Sequence, residues 1–293
     1  MKLLITGAKG QVGSELVSQA TNKAYEVFAY GSKELDITDL SQLQNTVKKI
    51  NPDVIINAAA YTAVDKAETE RELAYAVNSK GSENLAIVCK QQDIPLLHIS
   101  TDYIYDGEKK SAYTELDIPK PTGVYGASKL AGDEKIIKLW HKHIILRVSW
   151  VFGEQGNNFV KTMLRLAEQR DELSIVDDQF GAPTSAKAIS HSLLTILESE
   201  QFNHSDCAWG VYNLQSDPGV NWFEFAREIF QQAHTLGLID KPIKLNPIPS
   251  SEFPTPVKRP ANSKLDGAKL QKAFNIPSAD WPLDLQSMLA SMA

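Results

Sequence analysis

Cysteine is nearly missing from this chain, with two residues, Cys89 and Cys207, among 293. They stand far apart, so they build neither a disulfide framework nor a metal cluster, and their scarcity suits a reducing cytoplasm. No long basic run occurs, and 36 Asp and Glu outweigh 30 Lys and Arg to leave a net charge of −6. That balance argues against nucleic acid as a partner. No apolar run approaches the roughly 20 residues that span a bilayer, so no membrane partner is expected. The apolar stretch in MKLLITGAKG is too short for a signal peptide, and the expected location is cytoplasmic. Glycine (16) and proline (14) follow no fixed period, which excludes a collagen-like chain. What remains is an ordinary globular composition, 43% hydrophobic and 23% charged, long enough for one large domain or two modest ones.

Strand-like and helix-like segments alternate through the first half. Strands are expected at Lys2–Thr6, Tyr25–Tyr30, Asp53–Asn57, Pro95–Thr101 and His143–Val148. Between them lie helical patterns at Gln11–Thr21, Leu40–Ile50, about Glu68 to Gln92, and Tyr125–His141. The strands are apolar almost throughout, as strands buried on both faces must be. The pattern predicts an α/β fold, a doubly wound parallel sheet of Rossmann-like type. Residues 1–149 form the expected dinucleotide-binding domain. Residues 150–293 form a smaller C-terminal, mainly substrate-binding part, some segments of which return to the first domain. Here helices are expected at Asn158–Arg170, Ser185–Glu200, Asn221–Leu236 (with Asn221 as N-cap), Asp266–Phe274 and Pro282–Leu289, and a strand at Trp209–Leu214. Pro242–Pro260 holds six prolines and no helical period, and reads as a long ordered loop.

The first strand runs into Gly7-Ala8-Lys9-Gly10-Gln11-Val12-Gly13 and then a helix. In a G-x-x-G-x-x-G turn one glycine permits the bend, one lets the backbone approach a pyrophosphate, and one lets helix and strand pack closely. The helix N-terminus then offers unpaired N–H groups to phosphate. The strand–turn–helix context is the one such a motif requires. The acidic residue that would grip a ribose 2′-hydroxyl is missing after Tyr30. Ser32 and Lys33 stand there instead, placed to meet a 2′-phosphate or simply solvent, which favours NADPH while leaving NADH open. Asp36 is better placed for the adenine side.

Tyr125-Gly126-Ala127-Ser128-Lys129 opens a helix, and residues four apart share a face. A lysine cation beside a tyrosine stabilises the phenolate and lowers its pKa toward the range useful for acid–base chemistry. Thr101 ends a strand at the carboxyl edge of the sheet, where ligands bind in such folds. It is a hydrogen-bond donor for a substrate oxygen or a local cap.

With Gly7, Gly10, Gly13, Thr101, Tyr125 and Lys129 in this order, the chain resembles the extended short-chain dehydrogenases/reductases. Further motifs narrow the likeness: Asn57 through Glu68, Arg147-Val148-Ser149-Trp150-Val151, Gly156 through Met163, Asp178 through Thr184, and Arg259-Pro260-Ala261-Asn262-Ser263. Together they are similar to the dTDP-4-dehydrorhamnose reductase family over nearly the whole length. That resemblance implies NAD(P)H-dependent reduction of the C4 ketone of dTDP-4-dehydro-L-rhamnose, in the biosynthesis of a polysaccharide sugar. It implies Tyr125 as proton donor to O4, Thr101 as hydrogen-bond donor to the same oxygen, and Lys129 on the ribose. Gly7, Gly10, Gln11, Val12, Gly13, Asp36, Ile37, Ala60, Tyr61 and Thr62 would line the cofactor, with Tyr125 and Lys129 also touching it. Thr101, Asp102 and Trp150 would meet the sugar nucleotide, Trp150 equally fitting core packing. Asn158, Gln179 and Arg259 are candidates for the diphosphate or base, and Arg259 reads alternatively as a surface charge.

Related sugar-nucleotide dehydratases carry Thr-Asp-Glu at this strand end. The chain has Thr101-Asp102-Tyr103 and lacks that glutamate base. The alternatives are another sugar-nucleotide reductase or epimerase of the superfamily, or a non-catalytic regulatory subunit with this fold. Some family members form a dimer around Mg²⁺ held by three carboxylates. Glu15 keeps the first position, Lys187 stands at the second, and the tail Met288–Ala293 has no carboxylate side chain. A hard cation needs several oxygen ligands. No metal site is therefore expected, the alternative being that nearby Glu198 or Glu200 takes the missing place, and the chain is expected to be a monomer or a dimer built another way.

Overall fold

In a computed structural model of the protein, which describes residues 1–203 and 207–293, the short apolar segments form one parallel sheet. Its strands are β1 (Lys2–Thr6), β2 (Glu26–Tyr30), β3 (Val54–Asn57), β4 (Leu96–Thr101), β5 (His143–Val148) and a sixth, Gly210–Asn213. Their spatial order is Gly210–Asn213, β5, β4, β3, β1, β2, with the direction reversing between β1 and β3. Such a reversal opens a crevice at the carboxyl ends of the strands.

Helices cover both faces because both faces are apolar. On one side Leu3, Ile5, Val54, Ile56 and Leu97 pack against helices α1 (Gln11–Asn22), Ala186–Glu198 and Ala268–Phe274. On the other, Leu4, Ile55, Leu96 and Ile145 meet α2 (Leu40–Ile50), Ser82–Gln92 and Val124–Leu139. The sixth strand and two of the helices that close the first core come from beyond residue 150. A separate cluster in the C-terminal half joins Phe225, Ile229, Trp281 and Leu285 to Phe152, Val160 and Met163. Among the described residues no helix is long and apolar enough to cross a membrane.

Three readings of the sequence need correction. The helix expected from Glu68 begins at Arg71, and Val64–Ala67 is a separate short helix. Its continuation is a wide π turn over Ala76–Gly81 before Ser82–Gln92. Pro242–Pro260 is not all loop, because Lys244–Ile248 pairs in parallel with Glu172–Val176, a strand not anticipated. Pro247 is tolerated there because the ribbon has only two strands, so its missing N–H faces no further neighbour. The helix expected over Asn158–Arg170 spans only Phe159–Ala167, with Asn158 as its N-cap.

Candidate active site

The glycine turn shows why those residues cannot carry side chains. Gly7 has φ +70°, and a Cβ there would lie 2.4 Å from the Ala59 nitrogen. A Cβ on Gly13 would lie 2.0 Å from the Gly7 carbonyl oxygen, so α1 packs directly on the end of β1. Gly10 caps α1 without a side chain, leaving the first N–H groups of the helix open toward the crevice. Gln11 and Val12 stand half-buried in that first turn. This backbone fits the pyrophosphate of a dinucleotide.

Other expected cofactor residues lie around it. Asp36 is exposed and accepts from the backbone and hydroxyl of Thr38. Ile37 turns its side chain into the core against Gly81, and its carbonyl accepts from Asn84 Nδ2 at 3.0 Å. Ala60-Tyr61-Thr62 is pinned by Asn78, whose Oδ1 accepts from the Tyr61 nitrogen at 2.8 Å and whose Nδ2 donates to the Tyr61 carbonyl at 3.0 Å. Ser32 and Lys33 are exposed.

Helix Val124–Leu139 places Tyr125 and Lys129 on one side. Its start has no side-chain cap of its own, and Glu68 supplies the acceptor to the Val124 N–H at 2.7 Å. Gly126 lets the helix press on the Tyr103 carbonyl, 2.1 Å from where a Cβ would sit. Tyr125 and Tyr103 meet in a T-shaped contact, with centroids 5.5 Å apart, and Thr101 lies beside the Tyr125 phenol. Burial pushes the Tyr125 hydroxyl well above its usual range. The expected lowering by Lys129 is thus not what the structure has. The Lys129 ammonium instead donates to the Ile99 carbonyl at 2.7 Å, beside His98 at 3.1 Å. Lys129 is 2% exposed, and desolvation brings its pKa down to about 8.

Thr101 donates to Asp102 Oδ1 at 3.0 Å and accepts from the Tyr103 N–H at 3.2 Å, so its hydroxyl serves as a local cap at the end of β4. Asp102 is buried, and desolvation raises its pKa to about 6. Its Oδ2 has no hydrogen-bond partner among the described residues.

From Tyr103 a cavity of about 860 Å³ opens between the two halves of the chain. Trp150 enters it from a residue at φ +46°, its indole stacked on Trp222 with centroids 3.6 Å apart. Gly181 is required beneath, since a Cβ there would fall 2.4 Å from that indole. Arg259 Nη2 holds Asp65 Oδ2 at 2.6 Å, while its Nη1 is buried without a partner among the described residues. Gln179 also lines the cavity, but Asn158 does not. Asn158 is occupied as an N-cap for Lys161 and as donor to Gln11 at 2.9 Å and the Gly153 carbonyl at 2.7 Å. Its place is between the glycine turn and the C-terminal half. Sequence reading missed Tyr103, Asp65 and Trp222. An aromatic after Thr-Asp carries a local signal, whereas Trp222 at a helix start reads only as core.

The residues placed for Mg²⁺ do not suit it. Glu15 accepts from Gln19 at 2.7 Å, and the Lys187 ammonium lies on Ser287 at 3.2 Å. Among the described residues no group of three or more His, Cys, Asp or Glu is arranged around a metal position.

The family described as RmlD substrate binding domain matches residues 1–293. The dTDP-4-dehydrorhamnose reductase of Aggregatibacter actinomycetemcomitans is 44% identical, over 99% of this chain and 98% of its own. The chain belongs to the dTDP-4-dehydrorhamnose reductase family. Its Escherichia coli K12 member is 38% identical, over 99% of this chain and 97% of its own. The Bacillus anthracis member, solved in complex with NADP, superposes with a TM-score of 0.91 at 35% identity and 99% coverage of both chains. The doubly wound parallel fold is common to the family.

Proposed function

We propose that the chain reduces the C4 ketone of dTDP-4-dehydro-L-rhamnose to dTDP-L-rhamnose, with NADPH as reductant. The observation that carries this reading is Tyr103, which lines the large cavity and packs on Tyr125 in a T-shaped contact. One residue thereby joins the space for a nucleotide sugar to the proton donor. A cavity of about 860 Å³ suits a ligand of that size.

Hydride at C4 is the chemistry that a reduced nicotinamide supplies when bound. The protein's own residues manage the charge that follows. Tyr125 donates its proton to O4 as negative charge develops there. Its hydroxyl is protonated at neutral pH, as a donor must be. Thr101, once its hydroxyl turns away from Asp102 Oδ1, offers a second hydrogen bond to the same oxygen, which stabilises the developing alkoxide. Lys129, buried and cationic, adds positive charge at the floor of the site and holds the ribose. Trp150 and Trp222 give the sugar nucleotide an apolar wall, and Arg259 and Gln179 a polar one.

Elimination lacks a base, since Tyr103 stands where a dehydratase has glutamate. Exposed Ser32 and Lys33 support NADPH over NADH. The ammonium of Lys187 supports an assembly that needs no Mg²⁺, monomer or dimer. The unpaired thiols Cys89 and Cys207 suit the cytoplasm. The test is a coupled assay that generates the 4-keto sugar from dTDP-glucose, follows NADPH oxidation and identifies the product by NMR. dTDP-L-rhamnose is the expected product; no NADPH consumption would favour a regulatory subunit.

A further inference from the structure

Beneath Lys129 lies a sealed group of charges that the mechanism above does not use. Asp133 follows Lys129 by four residues on the same helix, so Tyr125, Lys129 and Asp133 form one stripe. Asp133, His98 and Lys129 are all 2% exposed or less. Asp133 Oδ2 accepts from Ser100 Oγ of β4 at 2.6 Å, and Arg147 Nε of β5 stands 3.9 Å from it. Asp133 Oδ1 faces His98 Nε2 at 3.6 Å.

The tautomer of His98 follows from its neighbours. Asn57 Oδ1 accepts from the Ala59 N–H at 3.0 Å and the Thr6 hydroxyl at 2.7 Å, so its amide nitrogen faces His98 Nδ1 at 2.8 Å. Nδ1 is therefore an acceptor, and burial keeps the ring neutral, with its one proton on Nε2. A protonated Nε2 cannot accept from the Lys129 ammonium 3.1 Å away. The ammonium has the Ile99 carbonyl as its acceptor, and Asp133 is the carboxylate whose charge acts on it.

We propose that Asp133 is a positioning residue for the reduction, one that keeps Lys129 protonated and correctly placed at the floor of the site. It acts through Lys129 and touches neither substrate nor cofactor. The groups facing it are Lys129 on its own helix, His98 and Ser100 from β4, Arg147 from β5, and Glu134 beside it in the chain. Ionised Asp133 faces the His98 Nε2–H at 3.6 Å, beyond hydrogen-bond reach, and offsets the desolvation of Lys129. A neutral residue there does the second of these no longer, so the buried lysine loses its proton at lower pH.

This inference rests on the reductase reading, and the experiment separates the two. Asp133→Asn keeps the shape and an acceptor for Ser100 while removing the charge. In the coupled assay its kcat at neutral pH is expected to fall about twofold, as a lysine titrating near 7 instead of near 8 is half deprotonated there, with KM for the sugar nucleotide little changed. The alkaline limb of its kcat profile is expected to move about one pH unit downward, the scale of one lost charge contact. NADPH affinity, read by fluorescence titration without sugar, should fall off at correspondingly lower pH. An unmoved alkaline limb and an unmoved NADPH profile in a protein with an intact melting transition would overturn the role of Asp133. Absence of ketone reduction in the unsubstituted protein would instead overturn the reductase reading. If Asp133→Asn does not fold, Ser100→Ala removes only the hydrogen bond that orients the carboxylate. A smaller displacement of both profiles in the same direction is then expected, and none at all overturns the proposal.

Discussion

Tyr103 and Tyr125 meet at 72° with their centroids 5.5 Å apart, so the wall of the large cavity and the proposed proton donor are in direct contact. The two rings come from different elements, the turn after β4 and the start of helix Val124–Leu139. Gly126 makes the contact possible by letting that helix approach the Tyr103 backbone.

Tyr125→Phe removes one hydroxyl and keeps the ring that packs on Tyr103. Turnover should fall by roughly 10² or more, the scale of acid catalysis, while NADPH binding and the melting temperature stay close to those of the parent. Stopped-flow NADPH oxidation together with a cofactor titration checks this. Near-normal turnover would leave Tyr125 a packing residue.

Arg259 presents at the cavity a buried Nη1 with no hydrogen-bond partner among the described residues. Arg259→Ala should raise KM for the sugar nucleotide about 10- to 100-fold with a much smaller change in kcat, as loss of a charge-assisted hydrogen bond in binding does. Initial rates across substrate concentration decide. If KM is unchanged, the arginine serves only to hold Asp65.

Asp102 titrates near pH 6 in the folded protein, against 3.8 as its ordinary value. The folded state binds this proton more tightly than the unfolded chain, so the group lowers stability as pH rises from about 4 to 6. The cost, about 3 kcal/mol at most by linkage, is fully present above that window and absent below it. Asp102→Asn should therefore melt higher than the parent at pH 7.5, and the difference should shrink toward pH 4. Calorimetry at both pH values reads the sign, and an equal difference at the two would mean that burial of this charge is not its cause.

Lys187 places an ammonium on Ser287 beside Glu15. Activity and molar mass by light scattering should be the same before and after EDTA treatment. A dimer lost on stripping and regained with Mg²⁺ would show that metal ligands come from elsewhere.

The strands β1 to β5, the glycine turn and the pairing of Tyr125 with Lys129 were legible in the sequence because each depends on neighbours within a few residues. Apolar runs mark buried strands, and a helix brings residues four apart together wherever it forms. The tertiary structure alone decided the rest. Lys244–Ile248 is a strand because it finds Glu172–Val176, a partner some seventy residues away that no local pattern announces. Arg259 and Asp65 are 194 residues apart in sequence, yet their contact spans one cavity. Lys129 shares a helix face with Tyr125 as the spacing requires, but its ammonium turns to β4. The direction of a long side chain is set by the carbonyls and charges packed around it, here Ile99 and Asp133, and the local chain does not specify those.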